Sequence, residues 1–150
     1  MAEISTRDTI LEAFKTDLKN ITIANGFQNE IGDRVVRKYV PFDTITHFPV
    51  LMVLGGKEDF DDDMGDKTNS EMVVQIGGFT KDSANPESAQ CSLISDVIKW
   101  ANNSTYNTQQ RRVQPMGLDT DEGMLHESIE GLALFFISLK VRYKFSRNAP

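Results

Sequence analysis

The chain has 150 residues, a formal charge of −6 and a pI of about 4.9, with a single cysteine. This length fits one domain that buries roughly two-thirds of the surface of its unfolded chain. The acidic balance argues against a general affinity for nucleic acid phosphates, and one cysteine excludes an internal disulfide. No apolar run is long enough to span a bilayer, so we expect a soluble single domain over residues 1–150.

The first predicted element is an amphipathic helix near the N-terminus. Ser5 or Thr6 can cap it, and Asp8 lies in its first turn, where an acid is favourable. Gly26 is the predicted stop. The apolar stripe has helical spacing and consists of Ile10, Leu11, Phe14, Leu18 and Ile21.

Three strands are predicted next. The first covers 34–40 and ends at Pro41. The second is the apolar run 49–54, whose nearly continuous hydrophobicity is typical of an interior strand closed by the glycine pair that follows it. The third covers 71–79 and returns beside the second, so that the two form a hairpin-like pair.

Between the second and third strands lies the acidic segment, KEDFDDDMGDK over 57–67, which carries six carboxylates and is predicted to be a loop. Asp59, Asp61 and Asp63 alternate as the first three ligands of a helix-loop-helix calcium site do. The match then fails, because the sixth position is not glycine and the twelfth is not glutamate. No dedicated calcium site and no cofactor are predicted. Weak divalent binding by the three aspartates stays open beside the simpler interpretation, a solvated acidic loop.

A second helix is marked by its first residues. Asn85 is the cap, Pro86 occupies the first helical position and Glu87 lies in the first turn. The predicted end is at 102–104. The predicted buried stripe consists of Leu93, Ile94, Val97, Ile98 and Ala101. Cys91 has helical spacing to two members of this stripe and is predicted to pack against the core rather than to act as a nucleophile.

No catalytic constellation is visible in the sequence. His47 and His126 are the only histidines, and nothing in their spacing pairs them with each other or with Cys91. Gly55, Gly56 and Lys57 lack the glycine spacing and the hydroxyl residue of a phosphate-binding loop. We therefore predict that the protein is not an enzyme.

The last predicted strand, 129–145, has two different rows of side chains. The apolar row consists of Ala133, Phe135, Ile137, Leu139, Val141 and Tyr143. The opposite row is apolar and then basic, and consists of Leu132, Leu134, Phe136, Ser138, Lys140, Arg142 and Lys144. Two helices can cover only one face of a sheet. The apolar part of the opposite row must therefore be covered by the long loop folding back or by another subunit.

These elements, with a short strand at 111–116 and an acidic loop at 117–127, predict an α+β fold. We expect a single domain with a largely antiparallel or mixed β-sheet and two helices packed on one face.

The acidic segment and the basic row are complementary and need not meet within one molecule. A contact between two different patches of this kind generates rings when the rotation closes. The apolar residues of the same row would form the centre of the contact. The predicted subunit interface consists of Leu132, Leu134, Phe136, Lys140, Arg142, Lys144, Asp59, Asp61, Asp62 and Asp63.

The order of elements resembles that of tail terminator (tail completion) proteins of long-tailed bacteriophages. Three segments carry the resemblance: the helix 8–21, the run PVLMVLGGKE from Pro49 before a variable loop, and GLALFFISLKVRY from Gly131 after an acidic loop. The resemblance covers nearly the whole chain.

The resemblance implies a six-membered ring that caps the tail tube, stops its polymerisation and joins the tail to the head. Its partners would be copies of itself, the tail tube protein and head-tail connector or neck proteins. DNA would pass through the channel without specific binding, and no membrane, cofactor or catalysis would be involved. The protein would lie in the virion at the head-proximal end of the tail, after assembly in the host cytoplasm.

Two other functions stay open. A neighbouring connector, neck or tail tube protein would share the same acidic, ring-forming character. A monomeric domain that binds a ligand or a divalent metal would instead cover its apolar strand residues with its own loop. The acidic segment could face the channel or meet the neighbour's basic row, and our hypothesis is the second.

Overall fold

The computed structural model of the protein describes residues 6–41, 44–62, 67–103, 112–120 and 131–146. In chain order the elements are α1 (Thr6–Leu18), a short 3-10 helix (Ile23–Asn25), β1 (Val35–Val36), β2 (Val50–Asp62), β3 (Lys67–Lys81), α2 (Pro86–Asn103), β4 (Arg112–Thr120) and β5 (Leu132–Ser146).

The five strands form one sheet in the order β1-β2-β3-β5-β4. β1 runs parallel to β2, and every other neighbouring pair is antiparallel. The fold is therefore α+β with a mixed sheet, as predicted.

Both helices pack on one face of the sheet, which we call the helix face. The predicted stripe of α1 is buried there together with the apolar row of β5. Trp100 of α2 links the two helices, because its ring meets Phe14 edge-on at 5.6 Å between centroids and its Nε1 donates a hydrogen bond to Asp17. The prediction of two helices on one face is confirmed.

Two details of the helices differ from the predictions. α1 ends at Leu18, and Gly26 caps the 3-10 helix instead, with a φ of 91° that favours glycine. Cys91 is exposed rather than packed. The buried stripe of α2 centres on Val97 and includes Trp100, and at 3.6 residues per turn Cys91 lies roughly 120° around the helix from Val97.

β1 is shorter than the predicted strand 34–40, because it pairs only with Leu51 and Met52 of β2. Immediately after β1 the chain turns towards α1. Arg37 Nη1 lies 2.7 Å from Asp8 Oδ1 and 2.9 Å from Glu12 Oε1. Ion pairs with the helix thus take this part of the chain away from the sheet.

β2 and β3 are longer than predicted. β2 does not close at the glycine pair but passes through an irregularity between Gly55 and Glu58 and continues to Asp62. β3 already begins at Lys67. Most of the acidic segment therefore forms the two arms of a hairpin, and the prediction of a loop is wrong for its described residues. Strand pairing with β3 outweighs the low intrinsic preference of aspartate for strands.

The other two strands also differ from their predicted bounds. β4 was expected to end at Met116 but continues to Thr120, so the start of the predicted acidic loop is strand. β5 agrees with its prediction within three residues. The remainder of that loop, with His126, lies outside the described residues.

The opposite side of the sheet, the second face, carries a smaller core at one end. Its buried members are Met52, Phe79, Leu132 and Leu134, and its partly buried members are Val36, Ile45, Phe48, Leu54 and Phe136. Leu132 is 1% and Leu134 3% exposed. The segment 45–48 between β1 and β2 supplies the cover, rather than the acidic segment or another subunit.

Gly77 and Gly78 lie inside β3. A Cβ atom at Gly78 would lie 2.4 Å from Cζ of Phe135, and one at Gly77 would lie 2.7 Å from Cε of Met52. The two glycines make room for large side chains on both faces of the sheet.

Candidate subunit interface

The acidic segment separates its side chains by strand alternation. Glu58 pairs in register with Met72, a helix-face residue, so Glu58 lies on the helix face. Asp59 and Asp61 then lie on the second face. The six carboxylates therefore do not form one cluster.

Glu58 has a structural role. Its Oε1 accepts hydrogen bonds from Arg7 Nη1 at 3.1 Å and from the Tyr143 hydroxyl at 2.8 Å, and its side chain is 10% exposed. Arg7 Nη2 also donates to the Gly56 carbonyl at 2.8 Å. Burial, with the hydrogen bond to Glu58, raises the pKa of Tyr143 to about 12. This cluster fastens the start of α1 to the base of the hairpin.

The exposed acids lie on β2, towards the tip of the hairpin. Asp59 and Asp61 pair in register with Glu71 and Asn69 of β3, and Asp59 forms a long ion pair of 3.7 Å with Lys57. The backbone of Asp62 belongs to β2, while Asp63 lies outside the described residues.

The basic row of β5 faces the same side of the sheet. Lys140 Nζ lies 2.9 Å from one carboxylate oxygen of Glu71, and Arg142 Nε lies 3.3 Å from the other. The hydrogen bond from Lys140, opposed by desolvation and helped by the charge of Arg142, lowers the pKa of Glu71. Lys144 is in register with Asn69. Sequence reasoning did not identify Glu71 as the partner of the basic row.

The second face thus has an acidic side and a basic side. One register line runs from Asp59 to Glu71, Arg142 and finally Arg112 of β4. Asp59 and Arg142 are two strands apart, about 10 Å between backbones. The protomer therefore pairs its basic row with Glu71 and leaves Asp59 and Asp61 near the opposite edge.

Two exposed apolar side chains lie on β4, the strand next to β5. Met116 and Leu118 of β4 are 51% and 46% exposed, although they belong to a strand. The sequence analysis named neither residue as part of the interface: it placed Met116 at the end of a short strand and Leu118 in a loop. The available signal was that apolar residues recur from Val113 to Leu118 around a proline, a residue typical of edge strands.

The geometry does not favour the alternative metal site. Asp59 and Asp61 are alternate residues of one strand, about 7 Å apart along the backbone. Among the residues that the structure describes, no three acidic, histidine or cysteine side chains come together as a metal site. Asp63, the third proposed ligand, is not among them.

Comparison with protein families identifies the kind of protein. Residues 2–149 match the family model described as Bacteriophage Tail Tube Terminator Protein. The chain belongs to this family. The resemblance inferred from the sequence is thereby confirmed, and membership implies a structural protein of the phage tail that associates with the tail tube. A comparison with curated proteins finds no matching relative.

The described part of this terminator family member includes no helix that is both long enough and apolar enough to cross a membrane. Its helices instead bury their apolar stripes against the sheet. The surface available for other tail components includes the charged half of the second face and the exposed strand β4.

Proposed function

We propose that the protein forms a hexameric ring that caps the tail tube, stops its polymerisation and provides the surface to which the head attaches. The family match over residues 2–149 is the observation that carries this proposal. The ring occupies the head-proximal end of the virion tail after assembly in the host cytoplasm. Its partners are the tail tube protein below and head-tail connector or neck proteins above, and DNA passes through its channel without specific binding.

The charge distribution supports a ring. Asp59 and Asp61 lie near one edge of the sheet, and Lys140 and Arg142 lie near the other. In the proposed ring, Asp59, Asp61, Asp62 and Asp63 of one subunit approach Lys140, Arg142 and Lys144 of the next. Such a contact joins two different patches, so it repeats from subunit to subunit and generates a ring when the rotation closes.

The apolar part of the contact differs from the one expected from the sequence. Leu132 and Leu134 are buried within their own protomer, and Phe136 packs against them. Met116 and Leu118 are exposed apolar side chains of β4, the strand next to β5, with Met116 in the irregularity of β4 and Leu118 in register with Ile137 of the helix face. We propose that they supply the apolar contact, since exposed ion pairs contribute only about 0.2 to 1 kcal/mol each.

A polymerisation assay tests the function directly. Purified tail tube protein is allowed to polymerise with increasing amounts of this protein, and tube lengths are measured by negative-stain electron microscopy. We expect shorter tubes that carry a cap at one end. Tube lengths that do not change at any ratio, with no protein bound at tube ends, would refute termination. Binding at tube ends without any effect on length would favour a neck or connector protein.

A further inference from the structure

We infer that Arg7 determines on which face of the sheet the acids of β2 lie, because it selects the strand register in which Glu58, and not Lys57, faces α1. Arg7 is thus a positioning residue for the contact between Asp59, Asp61 and the next subunit. This consequence rests on the proposed ring, whereas the register itself can be measured in the unassembled protein.

The irregularity of β2 is a β-bulge. The register pairs on its two sides are Gly55 with Val74 and Glu58 with Met72. β2 has two residues between these pairs where β3 has one, which defines a bulge. A one-residue change of register moves every following side chain to the other face of a sheet. The bulge therefore decides which carboxylates of the acidic segment face α1 and which lie on the second face.

Without the bulge, β2 would continue in a different register, which we call the alternative register. Lys57 would then lie opposite Met72 on the helix face, and Asp59 and Asp61 would follow it there. Glu58 would move to the second face. The connection between the two strands would be one residue shorter, and hairpin connections of four and five residues are both common. The connection length therefore does not select the register.

Two contacts of Arg7 favour the observed register. Its Nη1 donates a hydrogen bond to Glu58 Oε1 at 3.1 Å, and its Nη2 donates to the carbonyl of Gly56 in the bulge at 2.8 Å. The Glu58 side chain is 10% exposed, whereas that of Lys57 is 78% exposed. In the alternative register the ammonium of Lys57 would take the place beside the guanidinium, and like charges repel.

The surroundings of Glu58 suit both an acid and a bulge. The hydroxyl of Tyr143 donates a second hydrogen bond to Glu58 Oε1, at 2.8 Å. A Cβ atom at Gly56 would lie 2.9 Å from the backbone oxygen of Val73, so the bulge requires a glycine there. Glycine thus permits the bulge, and the charge of Arg7 makes it the favoured register.

Cross-strand cysteine pairs measure the register. In a Cys91→Ser background, Asp61→Cys is combined with Asn69→Cys, its partner in the observed register, or with Thr68→Cys, its partner in the alternative register. Opposite residues of an antiparallel pair have Cα atoms about 4.5 to 5.5 Å apart, within reach of a disulfide, whereas adjacent residues of a strand point to opposite faces. The oxidised fraction in a glutathione redox buffer is measured by alkylation of free thiols and mass spectrometry.

Arg7→Glu should shift the preference, because a carboxylate at this position attracts Lys57 and repels Glu58. In the parent chain the observed-register pair should oxidise readily and the alternative pair poorly. The ratio of the two disulfide equilibrium constants should fall by about tenfold or more in Arg7→Glu, as for the loss of hydrogen bonds to a charged group. Arg7→Met, which keeps the apolar stem without the donors, should lower it less. Lys15→Glu, the same charge change on the same helix, should leave the ratio unchanged.

A charge exchange separates the register from stability. The triple variant Arg7→Glu, Lys57→Glu, Glu58→Lys again places opposite charges together in the observed register, so it should restore the parent ratio. Without engineered cysteines, it should also restore the shortening of tail tubes that Arg7→Glu alone weakens, because Asp59 and Asp61 return to the second face.

The possible failures are distinguishable. An unchanged ratio in folded Arg7→Glu and Arg7→Met would overturn the role of Arg7 and leave the ring itself in place. A changed ratio with tube lengths controlled as by the parent chain would overturn the link between register and assembly. A parent chain that neither binds tubes nor changes their length would overturn the proposed function, while the disulfide ratios would still decide for or against the selection of register by Arg7.

Discussion

Along β5, the second face changes within six residues from a buried apolar cluster at Leu134 to a charged surface at Lys140. The segment 45–48 covers the first end, and Asp59, Asp61 and Arg142 remain exposed near the other. The same strands therefore build the core at one end and present a recognition surface at the other. Mutations at the two ends should separate stability from assembly.

The largest effect is expected at the apolar end. Leu134→Ala should lower the free energy of unfolding by about 2 to 5 kcal/mol, because it leaves a cavity among buried side chains. Urea denaturation followed by circular dichroism measures the change. The matched control is Leu118→Ala on the exposed strand β4, which should change stability by about 0.5 kcal/mol or less. Equal losses in both variants would mean that burial of Leu134 in the apolar cluster does not set its contribution to stability.

A smaller effect is expected where the hairpin meets α1. Tyr143→Phe removes one hydrogen bond to Glu58 but leaves the bond from Arg7, so it should cost about 1 kcal/mol of stability. Denaturant midpoints at neutral pH measure this loss. A variant as stable as the wild type would show that the cluster contributes nothing to holding the hairpin.

The same variant has a signature at alkaline pH. Unfolded tyrosine has a pKa near 10, whereas burial raises the pKa of Tyr143 to about 12. Below pH 10 both states keep the proton, and the contribution is fully present. Between pH 10 and 12 the unfolded state loses its proton first, so the free energy of unfolding falls as pH rises. The difference in stability between wild type and Tyr143→Phe should therefore shrink across this range, and a constant difference would contradict the shifted pKa.

The smallest energy per interaction is expected for the ion pairs at the charged end of the second face, and it should affect assembly. Reversal of Lys140 and Arg142 to glutamate should weaken assembly, and reversal of Asp59 and Asp61 to lysine in the same chain should partly restore it. Each exposed pair contributes about 0.2 to 1 kcal/mol and is weaker in high salt. Sedimentation velocity at low and high salt follows the oligomer. Asp33→Lys, at another exposed site, is the matched charge control. A ring that survives the first reversal intact in low salt would exclude this pairing.

Periodicity predicted the parts of the fold that depend on burial. The α1 stripe, the Asn85-Pro86-Glu87 helix start and the apolar row of β5 all lie where the sequence placed them. The acidic segment was misassigned because its strand character comes from pairing with β3, a long-range contact that local composition does not contain. For the same reason the sequence did not reveal that Glu58 and Asp59 lie on opposite faces of the sheet. Glu58 accepts a hydrogen bond from Arg7, whereas Asp59 lies on the second face.

The sequence also did not predict which residues cover the apolar end of the second face. The β5 pattern showed that Leu132 and Leu134 needed a cover, but Ile45 and Phe48 lie in an irregular segment with no periodicity to reveal that they supply it. The partner of Lys140 and Arg142 within the same chain depended on the register between β3 and β5, which places Glu71 beside them.

The most direct test of the account is the molar mass of the purified protein by multi-angle light scattering, alone and after contact with tail tubes. We expect a species of six times the 16.9 kDa chain, in free solution or released from the tubes. A protein that stays a monomer at every concentration and does not bind tubes would contradict the central claim that this chain acts as a ring at the end of the tail tube.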